Sequence, residues 1–82
     1  MESLQEKLAR LFQSRFGRRA KIELESDVDG ISGKIVSTKF RGLEDIDRVR
    51  MVWDTFDGSL STAEKRRIVI IAPFTPEEAR ED

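Results

Sequence analysis

The chain has 82 residues and contains no cysteine, no histidine and no tyrosine, with only two prolines and one tryptophan. Without cysteine or histidine it cannot form a disulfide, a thiolate or imidazole metal site, or a catalytic triad that depends on histidine. A metal ion would have to be bound by carboxylates alone. These absences make a binding module a better expectation than an enzyme.

An excess of one charge and a long apolar run are also missing. The 15 Lys and Arg nearly balance the 16 Asp and Glu, so the net charge of −1 gives no overall attraction to nucleic acid or to an anionic membrane. No apolar run approaches the roughly 18 residues that span a bilayer, and the first residues lack the basic-then-apolar layout of a signal peptide. We therefore expect one cytoplasmic domain over residues 1–82, without a membrane partner.

Two long amphipathic helices are predicted. The first covers residues 4–16, begins at a capping box formed by Ser3 and Glu6, and ends at Gly17. The second begins near Glu44, and its apolar residues step by three and four positions. We expect these residues to form one continuous buried stripe, made of Ile46, Val49, Trp53, Phe56 and Leu60. In this interpretation Trp53 belongs to the core and is not a ligand platform.

A β-hairpin is predicted between the two helices. Apolar and charged residues alternate over residues 20–25, which indicates a strand with one buried face. The turn covers residues 26–30, where Asp29 and Gly30 can adopt positive φ angles. The return strand runs over residues 31–37, and Gly33 weakens it or marks a bulge.

The last part of the chain is predicted to contain a third strand and a short helix. The β-branched run over residues 68–72 does not alternate, which indicates a strand that is central or covered on both faces and ends at Pro73. Ser61 and Glu64 form a second possible capping box before it, so one helical turn is expected there. After the strand, residues 75–78 open a short helix.

The elements follow the order α-β-β-α-(turn)-β-α. Two helices with apolar stripes and three strands are most simply combined in a two-layer α+β sandwich. The hairpin strands pair antiparallel, and the third strand is reached through a helix, as a parallel pairing requires. We therefore predict a three-stranded mixed sheet.

Basic residues occur in three groups, and a site for phosphate or for an acidic partner would need such groups to meet. The groups are Arg18, Arg19 and Lys21; Lys39, Arg41, Arg48 and Arg50; and Lys65, Arg66 and Arg67. Recognition of bases would add exposed aromatic rings, and Phe40 and Phe74 are the two outside the predicted core. Charge groups of this size more commonly form a solvated face.

Other short motifs have simpler structural interpretations. Residues 25–30 copy the acidic spacing of a calcium loop, but the twelfth position is Val36 and the segment lies in the hairpin. The G-x-x-G string from Gly30 to Gly33 matches the clamp of KH domains, yet it opens a strand. No carboxylate pair is placed for acid–base work, and the serines lack a histidine to activate them. A carboxylate-dependent enzyme is therefore the weakest of the functional hypotheses.

An ordered set of motifs runs through the second half of the chain: Val36-Ser37, then Phe40-Arg41-Gly42, five residues, Arg48-Val49-Arg50 and, after the third strand, Thr75-Pro76-Glu77-Glu78. This set resembles the BolA family of small bacterial and organellar proteins. Its members carry a strand ending in Val-Ser, then F-x-G, five residues and R-H-R, and later T-P-E-E. The spacing from Gly42 to Arg48 matches without a gap. The resemblance covers about half of the chain closely.

The resemblance implies a fold and a type of function. The family fold is α-β-β-α-β-α with a three-stranded mixed sheet, similar to class II KH domains without the clamp loop. Members are non-enzymatic, pair with monothiol glutaredoxins and sometimes share a [2Fe–2S] cluster with them. Some are described as transcriptional regulators. The resemblance thus implies a protein partner, with a monothiol glutaredoxin as the candidate.

This chain departs from the family at both family histidines. The histidine of R-H-R is Val49 here, and the late histidine that binds the cluster falls at Arg67. Arginine is not deprotonated in proteins and cannot replace an imidazole as an iron ligand. We therefore expect no cofactor and no metal site, and the cluster sharing that the resemblance implies is in question.

Two functions are predicted for one surface, a positive rim formed by the basic residues near the Phe40–Gly42 loop. The first is a non-enzymatic, BolA-like regulatory domain that binds a protein partner, and the alternative is a KH-like nucleic-acid-binding module. Gly42 would permit the loop geometry, Phe40 would anchor the loop or contact the partner, and the arginines would supply charge-assisted hydrogen bonds. The predicted site residues are Lys39, Phe40, Arg41, Gly42, Arg48, Arg50 and Arg67. The sequence does not indicate an oligomeric state.

Overall fold

The computed structural model describes residues 2–80. Helix α1 (Leu4–Phe16) precedes strands β1 (Lys21–Asp27) and β2 (Gly30–Val36), and a 3₁₀ turn (Thr38–Phe40) leads into helix α2 (Asp45–Phe56). The remaining elements are helix α3 (Thr62–Lys65), strand β3 (Ile68–Phe74) and helix α4 (Pro76–Arg80). The order and the α+β class are those predicted from the sequence. No helix within residues 2–80 has the length and apolar character to cross a membrane.

The three strands form one mixed sheet in the order β1-β2-β3. Strand β1 pairs antiparallel with β2 from Lys21↔Val36 to Asp27↔Gly30. Strand β2 pairs parallel with β3, and the pairing ends at Val36↔Phe74. The mixed sheet predicted from the connections is thus confirmed, and the topology is compatible with that of class II KH domains.

This register determines which loops meet. Strand β1 begins at the same end of the sheet where β2 and β3 finish, and we call this the loop end. It gathers the segment before β1, the 3₁₀ turn after β2 and the start of α4 after β3. At the opposite end, which we call the hairpin end, the β1–β2 turn lies next to the start of β3, because the Ile31 N–H donates to the Arg67 carbonyl oxygen (2.7 Å).

The core lies between the sheet and the two long helices. Helix α1 buries the predicted stripe, with Leu4, Leu8, Phe12 and Phe16 facing inward. Phe12 meets Phe56 of α2 edge-on, with ring centroids 6.0 Å apart. Ile31 and Ile35 of β2 close the core from the sheet side. The helices therefore cover one face of the sheet, and the two-layer α+β sandwich predicted from the sequence is confirmed.

The buried stripe of α2 was predicted incorrectly. Val52 and Phe56 are buried, with 1% and 0% of their surface exposed, whereas Val49 and Trp53 are 44% and 41% exposed. Ile46 is also exposed, and of the five predicted residues Phe56 and Leu60 alone are buried. The helix has apolar side chains on two neighbouring faces, and packing on α1 and β3 selects the face centred on Val52. Trp53 consequently lies at the surface.

Strand β3 is an edge strand, which corrects the prediction that it is central or covered on both sides. Val69 and Ile70 are exposed, while Ile71 is buried toward the helices. The strand also continues through Pro73, which was predicted to end it. Proline is tolerated at an edge where its missing N–H faces away from the neighbouring strand. The central position belongs to β2, whose composition is less apolar.

The hairpin is tighter than predicted. Strand β1 extends to Asp27, and the turn consists of Val28 and Asp29. Asp29 does not have a positive φ; its N–H is held by the Asp27 carboxylate (2.8 Å), and Gly30 alone in this turn has a positive φ of 131°. The calcium-like segment is therefore the end of a strand and its turn.

Gly33 is required by a close approach of β1 and does not form the bulge itself. A Cβ atom at this position would lie 2.0 Å from the Glu23 carbonyl oxygen. The irregularity in the sheet falls instead on β3, where Val69 is the extra residue between the pairs Ile31↔Ile68 and Ser32↔Ile70. The G-x-x-G string is thus part of β2, and its second glycine accommodates the neighbouring strand.

All three helix starts that were predicted from capping motifs are confirmed. Ser3 with Glu6 and Ser61 with Glu64 form complete capping boxes. Before α4, Thr75 Oγ1 accepts the Glu78 N–H (3.2 Å) and Glu78 Oε1 accepts the Thr75 N–H (2.7 Å).

The orientation of α2 can be tested with two valines on the same helix. We expect Val52→Ala to lower the free energy of unfolding by about 2 kcal/mol, because it removes buried methyl groups and leaves a cavity. The matched control Val49→Ala should change it by less than about 0.5 kcal/mol. Urea denaturation measures both values, and equal losses would contradict the observed face.

Candidate functional site

The loop after β2 is held to the core by Phe40. Its ring is fully buried and packs on Phe16 of α1, with centroids 5.1 Å apart. Just before it, the buried Ser37 accepts the Lys39 N–H through Oγ (3.1 Å), which fixes the start of the 3₁₀ turn. Gly42 ends the loop with a φ of 77°, a conformation that other residues rarely adopt. The F-x-G motif is thus a structural motif for a rigid loop.

Of the two roles considered for Phe40, the structure supports that of an anchor. A side chain with no exposed surface has no face to offer to a partner or to a nucleic-acid base. Phe74, the other aromatic residue considered, is partly buried at the end of β3. Contact with a partner must therefore come from the exposed residues of the loop, which are Thr38, Lys39, Arg41 and Gly42.

Two arginines of the predicted site bind the start of α4. Arg48 is nearly buried, with 11% of its side chain exposed, and its Nη1 donates to Glu78 Oε1 (2.6 Å). Its Nε donates to the Leu43 carbonyl oxygen (3.1 Å). Arg41 is more exposed and contacts Glu77 with both Nη2 and Nε, the latter at 3.4 Å. Together these pairs attach α4 to the loop.

The glutamates of these pairs have lowered pKa values. A side-chain hydrogen bond from Arg41 is the main cause for Glu77. For Glu78 the Thr75 backbone N–H lowers the pKa most, and the hydrogen bond from Arg48 lowers it further. Both interactions favour the ionised carboxylate. Glu78 therefore serves as a helix cap and as an ion-pair partner at the same time.

The loop end also carries basic residues from a second group. Because Lys21 pairs with Val36, the exposed Arg18 and Arg19 just before β1 come to the same end of the sheet as the loop. Lys39 links the two segments directly, since its Nζ donates to the Arg15 carbonyl oxygen (2.7 Å). A cleft of about 210 Å³ lies between them, lined by Phe16, Arg19, Ala20, Val36, Ser37, Thr38 and Pro76.

The seven predicted site residues do not form one rim. Lys39, Phe40, Arg41 and Gly42 are contiguous, and Arg48 lies beside them at the start of α4. Arg50 is exposed on α2. Arg67 precedes β3 and lies at the hairpin end, separated from the loop end by the length of that strand, about 20 Å. Arg67 shares only its charge with the residues of the loop.

Sequence reasoning missed the residues that neutralise part of this site. The T-P-E-E motif was interpreted as a helix start, and nothing in it indicated that both glutamates also pair with arginines more than twenty-five positions earlier. Arg18 and Arg19 were noticed as a basic group but were not placed at the loop. The antiparallel pairing of the hairpin could have placed Arg18 and Arg19 at the loop, because the residues before the first hairpin strand lie beside those after the second.

The residues present do not fit an iron–sulfur cluster. The chain has no cysteine and no histidine, so it offers neither thiolate nor imidazole. At the position where the resemblance places a ligand, Arg67 has a permanently protonated guanidinium. Within residues 2–80, no three acidic residues come together as a carboxylate metal site. We therefore derive no chemistry through a cluster ligand of this chain.

Attachment of α4 is expected to depend on pH. A carboxyl whose pKa is lower in the folded state than its ordinary 4.5 stabilises the fold above that value, and the stabilisation is lost as the pH falls through the lowered pKa. We predict that the amides of α4 lose protection between about pH 4.5 and about pH 3, while those of α1 keep it. Amide exchange followed by NMR measures this.

The variant Glu78→Gln should show the weakened α4 already at neutral pH. Glu25→Gln, which changes an exposed strand carboxylate that forms no ion pair among the described residues, should retain the wild-type transition. If α4 stayed protected in the wild-type protein at every pH below about 4.5 at which α1 remains folded, the two ion pairs would not be what holds it.

Three solved structures resemble the chain over nearly its whole length. BolA1 from Arabidopsis thaliana has a TM-score of 0.74 at 22% identity, covering 95% of this chain and 98% of that one. The BolA domain of SufE1 from Arabidopsis thaliana has a TM-score of 0.66 at 17% identity, with coverages of 95% and 98%. A bol-like protein from Babesia bovis has a TM-score of 0.63 at 25% identity, with coverages of 100% and 96%.

No protein-family model and no curated protein matches the sequence. The similarity therefore comes from structure, and the three structures named above are two BolA domains and a bol-like protein. It agrees with the motifs of the sequence between Val36 and Glu78. The chain has the BolA-like fold, and the predicted resemblance is confirmed.

Proposed function

We propose that the chain is a non-catalytic interaction domain that binds an acidic surface of a protein partner at the loop end. The observation that carries the proposal is the rigid loop over residues 38–42. It is anchored by Phe40 and closed by Gly42, and it displays Lys39 and Arg41 beside Arg18 and Arg19. Rigid presentation reduces the conformational entropy that binding would otherwise cost.

Electrostatics support an acidic partner. In the part of the chain that the structure describes, Glu77 is paired with Arg41 and Glu78 with Arg48, and neither Arg18 nor Arg19 forms an ion pair. Lys39 is held by a carbonyl group, so its charge is not neutralised. The unpaired charges of the loop and of the segment before β1 are therefore basic, whereas the start of α2 just beyond the loop carries the acidic residues Glu44, Asp45 and Asp47. Complementary charge of this kind mainly increases the association rate and the specificity.

A monothiol glutaredoxin is the candidate partner that the BolA resemblance supplies. The contact we propose uses the side chains of the loop and requires no iron ligand from this chain, in agreement with its lack of cysteine and histidine. Arg67 is not part of the proposed surface, because it lies at the hairpin end. The cytoplasmic location and the single-domain organisation stay predictions.

The nucleic-acid alternative also stays a prediction, and the structure gives it less support than the sequence did. Phe40 is buried and cannot stack on a base, and Gly33 accommodates β1 instead of a phosphate backbone. The basic residues of the loop end are what remains of the argument. Titration with single-stranded RNA and DNA at about 50 mM and about 200 mM salt tests it, since phosphate contacts give a steep salt dependence. Absence of binding at the lower salt concentration would eliminate it.

The protein-binding proposal predicts that charge reversal matters at one end of the sheet only. We expect the double variant Lys39→Glu/Arg41→Glu to lose, by at least about tenfold, the proteins that the wild-type chain retains from a cell extract. The matched control is Arg67→Glu, which makes the same kind of change at the hairpin end and should retain them. Quantitative mass spectrometry of the retained proteins measures the difference.

Titration of the labelled chain with a purified monothiol glutaredoxin then tests the named partner. Chemical-shift changes should be confined to the loop and to residues 18–21, and they should diminish as the salt concentration is raised. An unchanged set of retained proteins for the double variant would overturn the proposal. Shift changes centred on the hairpin end would do the same.

A further inference from the structure

The two edges of the sheet differ in how well they are protected. On β1 the exposed side chains are charged except for Ser26, and Gln5 of α1 covers the edge by donating its Nε2 to the Leu24 carbonyl oxygen (3.0 Å). On β3 the exposed side chains are apolar, with Val69 57% and Ile70 61% exposed. Charged edges discourage pairing between chains, whereas an open apolar edge favours it. The β3 edge is therefore the one available for a further strand.

The hydrogen bonds of β3 show which backbone groups are free. The Phe74 carbonyl oxygen accepts the Ser37 N–H (2.9 Å), so Phe74 directs its polar groups toward β2. Because successive residues of a strand alternate, the groups of Ile71 and Pro73 point toward the open edge. Ile71 offers a donor and an acceptor there. Pro73 offers its carbonyl oxygen alone, which limits the pairing to a short stretch.

Helix α2 adds a second apolar surface, on the helix side of the β3 edge. Its exposed residues Ile46, Val49 and Trp53 share one flank, while Met51 packs against the core on the opposite flank. The crossover from β2 through α2 to β3 joins parallel strands and is therefore right-handed, which turns the exposed flank away from α1 and over the β3 edge. The exposed flank of α2 thus lies on the helix side of the β3 edge, while Ile70, next to the inward-facing Ile71, lies on the opposite face of the sheet.

The ends of β3 carry opposite charges. Lys65, Arg66 and Arg67 precede the strand, and Glu77 and Glu78 follow it. No ion pair joins Arg66 or Arg67 to another residue of the 2–80 segment. The carboxylates of Glu77 and Glu78 are about half exposed beyond their contacts with Arg41 and Arg48. A strand that runs antiparallel to β3 and has the same sequence would bring its basic start to this acidic end.

We propose that the β3 edge pairs with the β3 edge of a second copy of the chain, forming a two-fold dimer with a continuous six-stranded sheet. With Ile71 opposite Ile71, each Ile71 N–H donates to the other copy's carbonyl oxygen. Ile70 then lies opposite Ala72, a large residue against a small one, and the basic start of each β3 approaches Glu77 of the other copy. The exposed flanks of the two α2 helices face each other above the junction.

The arrangement is closed. A two-fold axis uses the same edge on both copies and leaves the two β1 strands at the outside of the sheet. These carry Glu23, Glu25 and Asp27, whose like charges oppose further addition. The proposed contact uses the β3 edge and not the loop over residues 38–42, so this inference does not depend on the proposed function.

Sedimentation equilibrium between about 1 µM and about 300 µM tests the inference, because dimer formation follows mass action. We expect the wild-type chain to become dimeric within this range. Ile70→Lys should raise the dissociation constant at least about tenfold, since it places two like charges at the junction. Val28→Lys is the matched control, because Val28 is fully exposed and apolar but lies in the hairpin turn. It should leave the constant within about twofold.

Amide exchange locates the interface independently. The Ile71 N–H has no partner strand in the single chain, so its exchange should slow as the protein concentration rises, and Ile70→Lys should abolish that dependence. A wild-type chain that stays monomeric at about 300 µM would overturn the inference. So would a dimer in which Ile71 exchange does not depend on concentration, or in which Val28→Lys and Ile70→Lys act alike.

Discussion

A chain of aromatic contacts holds the loop end of the molecule to its core. Phe56 of α2 packs on Phe12 of α1 at 6.0 Å, Phe12 lies 6.4 Å from Phe16, and Phe16 lies 5.1 Å from Phe40 in the loop. Four rings from three segments are thus in sequential contact. Each aromatic side chain buries a large area, so a small chain needs few residues to build this part of its core. The loop is held rigidly because Phe40, the last ring of this chain of contacts, is fully buried against Phe16.

Three residues, Phe40 among them, are sufficient to account for the backbone conformation of the loop. A buried ring, a serine cap and a glycine with positive φ specify the backbone, and the exposed side chains between them are left free to vary. The same arrangement accounts for the two ion pairs with α4, which fix the remaining side of the loop. Arg41 and Lys39 are thus exposed and at the same time held by contacts with neighbouring segments.

The parts of the fold that could be predicted from sequence are those determined by neighbours along the chain. Capping boxes, the stripe of α1 and the alternation in β1 depend on residues within one or two turns, and these were correct. The inward face of α2 and the position of β3 depend on how distant segments pack. Trp53 and Val52 are adjacent and both apolar, and only the approach of α1 and β3 decides which is buried.

The candidate site divides in the same way. The F-x-G motif could be recognised and interpreted as a loop, since its constraints are local. The pairing of Arg41 and Arg48 with Glu77 and Glu78 could not, because it joins segments brought together by the sheet. Arg67 was misplaced for the converse reason, as net charge along the sequence contains no information on which end of a strand a residue occupies.

The parallel pairing of β2 and β3 also determines the order in which the molecule can assemble. Helix α1 and the hairpin consist of neighbouring segments, so their contacts close short loops and can form early. The pairing of β2 with β3 closes a longer loop, because α2 and α3 lie between the two strands in the sequence, and it is therefore expected to form later. Until then β2 has an unpaired edge of its own. Strand β2 has Ser32, Gly33 and Lys34 at its centre. This weakly apolar composition makes its unpaired edge a poor template for aggregation.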